Sequence, residues 1–295
     1  MTDGLPEPHP ALHTRLCELT GVRYPIVQTG MGWVAGPRLV AATAAAGALG
    51  ILASATMSFD ELAAAIDEVK KRTDAPFGVN LRTDSADAAE RVELLIEQQV
   101  RVASFAQAPR PEMVARLAEA GVFVMPTVGA RRHAEKVAAW GVHGVIAQGA
   151  EGGGHTGEVP TSLLLPAVVE AVGDKVAVIG AGGFHDGRGL VAALAYGASG
   201  IAMGTRFLLT KESTVPDVVK ERYLETTITG TVVTTRVDGA PQRVIRTELV
   251  ERLQTSGRVT ALPRALRNAL AFRRTTHSSM RALLREGLAM KEGNE

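Results

Sequence analysis

The chain has 295 residues, 46% of them apolar, with 32 basic against 31 acidic side chains. That is ample for a large core, and α/β barrels of ~250 residues fold as one domain. Balanced charge gives no global field for nucleic acid or an anionic membrane. A single cysteine, Cys17, excludes an intrachain disulfide framework or a cysteine metal cluster and points to a reducing, cytoplasmic setting.

The first residues, MTDGLPEPHP, lack the apolar core of a signal peptide. Leu39 to Ala55 is too short and too rich in Ala and Gly for a ~20-residue membrane span. Leu12 to Gly21 reads as a short helix and Tyr24 to Gln28 as a strand ending in Thr29-Gly30-Met31-Gly32. Pro37 to Ala46 is helical, and Ala48 to Ala53 is a buried strand. Ser58 with Glu61 forms a capping box opening a helix to about Arg72. Phe77 to Leu81 is a strand, Ala86 to Gln98 a helix by its apolar period, and Val102 to Phe105 a strand. Pro111 to Ala120 is a helix closed by Gly121, Val122 to Val128 a strand, and Ala130 to Trp140 a helix closed by Gly141.

An apolar run, Val142 to Ala147, then opens into the loop AQGAEGGGHTG, Ala147 to Gly157. After it come a helix from Thr161 to Val172, a strand from Val176 to Gly180, and a helix from Asp186 to Tyr196 closed by Gly197. The last pair is a strand from Gly200 to Leu209 and a helix from Val215 to Leu224. Eight strand-helix units, starting near residues 24, 48, 77, 102, 122, 142, 176 and 200, favour a closed (β/α)8 TIM barrel over a doubly wound sheet. The expected division is a barrel over 1–225 and, over 226–295, a β-rich or irregular extension with basic helices packing on it. From Glu251 to Glu295 there are nine Arg or Lys and four Glu, a net of +5.

In such a barrel, chemistry sits at the C-terminal ends of the strands. The polar and Gly-rich residues that follow them are Met31, Gly32, Asn80, Thr127, Gln148, His155, Gly182, Gly183, Gly204 and Thr205. VIGAGGFHDG after strand seven and IAMGTRF after strand eight stand where these barrels bind phosphate. A Rossmann reading fails on the spacing of the third glycine. Bare backbone at Gly152 to Gly154 lets a flat or anionic ligand lie close. His155 behind it can exchange a proton near neutral pH or simply order the loop. Glu151 is a loop carboxylate or a second acid-base group. His133 and His185 lie near helix starts, and His143 precedes a strand, at the wrong rim. No second His or Cys has metal-ligand spacing, so no metal is expected. The C-terminal arginines, Arg258 onward, are a solvated helix face or a contact for an anionic group.

The motifs PIVQTGMG, PFGVN, AQGAEGGGHTG, VIGAGGF and AMGTRF, in this order from about Leu16 to Leu249, resemble the nitronate monooxygenase family. They are more similar still to its actinobacterial branch of flavin-dependent reductases, which act on a hydroindane acyl-CoA in steroid-ring catabolism. Relatives in that branch extend past Glu295. The resemblance implies a TIM barrel with non-covalent FMN lined by Met31, Gly32, Asn80, Gln148, Gly154, Gly182, Gly183, Gly204 and Thr205. It makes His155 the proton-transfer residue and NADH or NADPH a candidate reductant. This chain departs from the family at Gly30, where Pro is usual, at the third glycine of the loop, and at Thr247, where Asn is common.

The resulting expectation is an FMN-dependent oxidoreductase of a ring-bearing acyl-CoA thioester, with no nucleic-acid or membrane partner and with a homo-oligomer compatible. The alternatives are nitronate oxidation with oxygen, and a flavin-binding protein with little turnover.

Overall fold

The computed structural model describes residues 7–255. Contacts divide the chain into two compact units, Met1–Glu225 and Thr226–Glu295. In the first, eight parallel strands close into a barrel: β1 Ile26–Gln28, β2 Leu49–Ala53, β3 Phe77–Leu81, β4 Val102–Phe105, β5 Phe123–Val128, β6 Gly144–Gln148, β7 Ala177–Ala181 and β8 Gly200–Met203. Closure runs through the β8–β1 pair, with Val27 opposite Ala202. Most strands are buried along nearly their whole length, as parallel strands covered on both faces must be.

Side-chain alternation sorts those residues into two cores. Val27, Ile51, Val102, Phe123, Met125, Ile146, Ile179 and Ala202 fill the barrel, together with Leu16 and Cys17 from α1, Arg15–Thr20. Leu52, Val79, Phe105, Val124, Val145 and Ile201 face outward and pack with the surrounding helices. Those helices are α2 Pro37–Ala45, α3 Phe59–Arg72, α4 Ala88–Glu97, α5 Pro111–Glu119, α6 Arg131–Ala138, α7 Thr161–Val172 and α8 Gly187–Ala195. The capping box is present, with Ser58 N–H donating to Glu61 at 2.7 Å and Glu61 N–H to Ser58 Oγ at 3.2 Å. The helix-closing glycines Gly121, Gly141 and Gly197 have φ of 75°, 84° and 85°, the left-handed region that favours glycine.

The eighth unit differs from its sequence reading. The strand stops at Met203, and after Gly204 the chain turns into a four-residue helix, α9 Thr205–Leu208, with α10 Asp217–Glu225 beyond. An apolar run such as FLL has no period long enough to separate strand from one turn of helix. In the second unit an antiparallel hairpin pairs β9 Thr231–Thr234 with β10 Gln242–Ile245, and α11 Glu248–Thr255 follows. The basic segment expected from Arg258 onward lies outside the described residues. Among the described residues no helix is long and apolar enough to cross a membrane.

His143 sits at the N-terminal end of β6, the rim opposite the strand ends that carry the expected site. Its Nδ1 accepts the Val124 N–H at 3.1 Å, and its ring stacks on Phe123 at 5.5 Å. Burial, and then the charge of Arg101, hold its pKa below the usual histidine value. The folded chain therefore keeps His143 neutral while the unfolded chain protonates first as pH falls. Stability present at neutral pH is lost as pH drops through the folded pKa. The urea midpoint is expected to fall from about pH 7.5 to about pH 5.5 by more in the unaltered protein than in His143→Asn. Equal slopes would show that His143 does not contribute.

Candidate active site

The C-terminal mouth of the barrel gathers the residues that followed the predicted strands. Alternation from Met125 places Thr127 on the inner face, and from Ile146 it places Gln148 there. Asn80 pairs with Ser104 across β3–β4 and donates its Nδ2 to Ser104 Oγ at 3.0 Å, so its amide also belongs to the interior layer. Beneath the mouth, therefore, Asn80, Thr127 and Gln148 offer neutral amides and a hydroxyl.

The loop after β6 is tied down by its own side chains. Gln148 Nε2 donates to the His155 carbonyl at 2.6 Å, fixing the far end of the glycine run to the strand it left. Gly149 N–H donates to Ala181 O at 3.0 Å, joining this loop to the end of β7. Helix α7 begins at Thr161 behind Pro160, which supplies no side-chain cap. Glu151 takes that place, because its Oε2 accepts the Thr161 N–H at 2.9 Å and the Thr161 hydroxyl at 2.8 Å. Glu151 is thus an architectural carboxylate capping a helix, the blander of its two sequence readings.

The glycines divide into packed and bare. A Cβ at Gly152 would lie 2.7 Å from Gln148 Nε2, and one at Gly182 would lie 2.9 Å from Thr161 Oγ1. At Gly153 it would meet only Thr205 Oγ1, at 3.7 Å, and at Gly154 nothing within 4 Å. Gly154, Gly182 and Gly183 have φ of 70°, 100° and 80°. The structure thus brings the β6 loop, the β7 turn and the start of α9 together around exposed backbone, with the Thr205 hydroxyl beside Gly153. On the β1 side, a Cβ at Gly204 would lie 3.4 Å from Met31 Sδ, so Met31 and Gly204 are neighbours, and Gly32 abuts Thr56 at 3.1 Å. Gly30 has a packing reason, because a Cβ there would lie 2.6 Å from Asn80 Cβ. The sequence departure at 30 makes room for an inner-layer amide.

His155 is exposed at the end of this loop, and Gly154 ahead of it needs the left-handed backbone. His185 is exposed beside Asp186, which caps α8 by accepting Gly189 N–H at 3.1 Å. His133 is exposed in the first turn of α6. Among the described residues no group of three His, Cys, Asp or Glu side chains could hold a metal ion. Sequence reading missed Thr161 as a brace and missed Arg91. Arg91 is buried, ion-paired with Asp87 at 2.8 Å, and donates to Ser54 O at 3.0 Å and Met57 O at 2.7 Å. It holds the β2–α3 loop in place from α4. The signal was present, since Arg91 falls on the apolar stripe of Ala88, Val92 and Leu95.

A flavin needs a flat approach to backbone, neutral hydrogen-bonding groups at its ring edge, and N–H or O–H donors at its phosphate. Bare Gly153 and Gly154, the amides of Asn80 and Gln148, the Gly182–Gly183 turn, and the Thr205 hydroxyl beside Gly153 fit such a group. A closed (β/α)8 barrel with a glycine-lined mouth and a histidine on its sixth loop has the architecture of barrel enzymes, which carry their chemistry at the C-terminal strand ends. The chain belongs to the nitronate monooxygenase family, which matches residues 13–295. It is 63% identical over 96% of its length, and 80% of the other's, to the (3aS,4S,5R,7aS)-5-hydroxy-7a-methyl-1-oxo-octahydro-1H-indene-4-carboxyl-CoA dehydrogenase of Mycobacterium tuberculosis. The protein of the same name from Rhodococcus jostii is 58% identical over 96% of this chain and 80% of its own. Among solved structures, FabK from Thermotoga maritima superposes with a TM-score of 0.82 at 39% identity, covering 88% of this chain and 83% of that one. The protein is an oxidoreductase.

Proposed function

We propose that this protein is an FMN-dependent dehydrogenase of a hydroindane carboxyl-CoA thioester in steroid-ring breakdown. The observation that carries the reading is 63% identity, across nearly the whole chain, to a dehydrogenase of that substrate. The C–H beside a thioester carbonyl is acidic, and losing it as a proton together with a hydride from the neighbouring carbon forms a C=C bond, which requires a proton acceptor and a two-electron acceptor. Bound FMN supplies the latter. Met31, Gly32, Asn80, Thr127, Gln148, Gly154, Gly182, Gly183, Gly204 and Thr205 would hold it. Asn80, Thr127 and Gln148 would serve its ring edge, and the Gly182–Gly183 turn with Gly204 and Thr205 would serve its phosphate. The His155 imidazole takes the proton from the carbon next to the thioester. Gln148 keeps His155 in register through its carbonyl. In the dehydrogenase direction electrons leave the substrate, so the protein needs an external acceptor; NADH or NADPH would serve the reverse reaction.

Anaerobic addition of the 5-hydroxy hydroindane carboxyl-CoA is expected to bleach the yellow protein, and an alkyl nitronate with oxygen to give little oxygen uptake. Rapid nitronate-dependent uptake without bleaching by the thioester would replace this reading with nitronate oxidation. A purified protein that takes up no FMN would overturn both.

A further inference from the structure

Trp33 is held in a conformation that tryptophan rarely adopts. Its φ is 59°, in the left-handed region, while the residue is 74% exposed. Left-handed backbone at a bulky residue costs about 1–3 kcal/mol, and an exposed indole gives up the burial that would offset it. Glycine stands at positions 30, 32 and 36 of the same loop, yet the position that needs positive φ carries tryptophan.

The loop around it is built. Val34 N–H and Ala35 N–H donate to Met31 O at 3.0 and 2.8 Å, and Ala53 N–H donates to Ala35 O at 3.1 Å. Trp33 N–H donates to Thr56 Oγ1 at 3.4 Å, and the Thr214 hydroxyl donates to Trp33 O at 3.3 Å. Thr56 lies in the segment that buried Arg91 clamps at Ser54 and Met57. A strained residue fixed from both sides, on the rim two positions beyond Met31, points to a role outside the fold.

We propose that Trp33 is a specificity-determining residue whose indole packs against the fused-ring part of the acyl-CoA at the mouth. The inference rests on the acyl-CoA reading above. Trp33→Gly is expected to leave Tm unchanged or raise it, because strain is relieved, and to keep the FMN content. It should raise KM for the ring-bearing thioester about 10-fold or more, the scale of losing an aromatic contact, with kcat little changed. Trp33→Phe should recover most of that loss. A lower Tm with unchanged KM would make Trp33 structural and overturn the proposal.

A second readout separates the two claims. The chain has two tryptophans, and Trp140 follows α6 at the opposite rim, with Lys136 Nζ 5.3 Å from its ring. In Trp140→Phe, emission therefore reports Trp33 alone. It should change on adding the hydroindane carboxyl-CoA and stay constant with free coenzyme A. An emission change without turnover supports the ring contact and overturns the reaction assignment. Turnover without an emission change overturns the ring contact, as does an emission that follows protein concentration instead of ligand, the mark of a contact between copies.

Discussion

The His155→Ala protein is expected to keep its flavin and its fold and to turn over the proposed acyl-CoA thioester about 100-fold or more slowly, the usual scale of general acid-base catalysis. Flavin retention follows from how the loop is anchored. One contact that fixes residue 155 is between its backbone carbonyl and Gln148 Nε2, at 2.6 Å, and alanine preserves it. The cradle around it belongs to Gly149, Glu151 and Thr161, none of which needs the imidazole. What alanine removes is an exposed ring able to take a proton at the mouth of the barrel. The check is flavin absorbance together with the pH profile of kcat/KM. The variant's rate should stay low at every pH at which the unaltered enzyme is active. An unchanged rate would reduce the loop to a cofactor cradle, whereas loss of flavin would assign His155 to architecture.

Much of this site was legible in the sequence because the barrel imposes simple rules. Strands buried on both faces read as short apolar runs, and whatever polar or glycine residue follows each run falls on one rim. That rule alone places Asn80, Thr127, Gln148 and Gly182 at the mouth. Legibility failed where a contact joins distant positions. Glu151 and Thr161 are ten residues apart, and only the fold turns the carboxylate into a cap. Gly30 reads in sequence only as a departure from the family, because the Asn80 side chain that packs against it comes from another strand. The short α9 escaped because one turn of helix has no period. The left-handed backbone at Trp33 leaves no trace in composition, since the residue type argues against it.

Gly149→Ala is expected to cost more than about 3 kcal/mol and to abolish flavin binding, beyond the usual range for overpacking. An added Cβ would lie 2.1 Å from Thr161 Oγ1 and 2.5 Å from both Thr161 Cα and Thr161 N. Two of those atoms are backbone at the first turn of α7, so no rotamer change relieves the clash. Displacing Thr161 also breaks its two bonds to Glu151 and moves the hydroxyl that lies 3.1 Å from Gly182 O. The β6 loop, the β7 turn and the head of α7 would shift together, and they frame the proposed phosphate cradle. Gly141→Ala, at the opposite rim, is the control, since its Cβ meets nothing within 4 Å and only the φ of 84° is violated. That strain costs about 1–2 kcal/mol and should leave flavin bound. Thermal melts and flavin content of the two variants decide the matter. Equal, mild effects would mean that the cradle tolerates movement of Thr161 and would overturn its part in flavin binding.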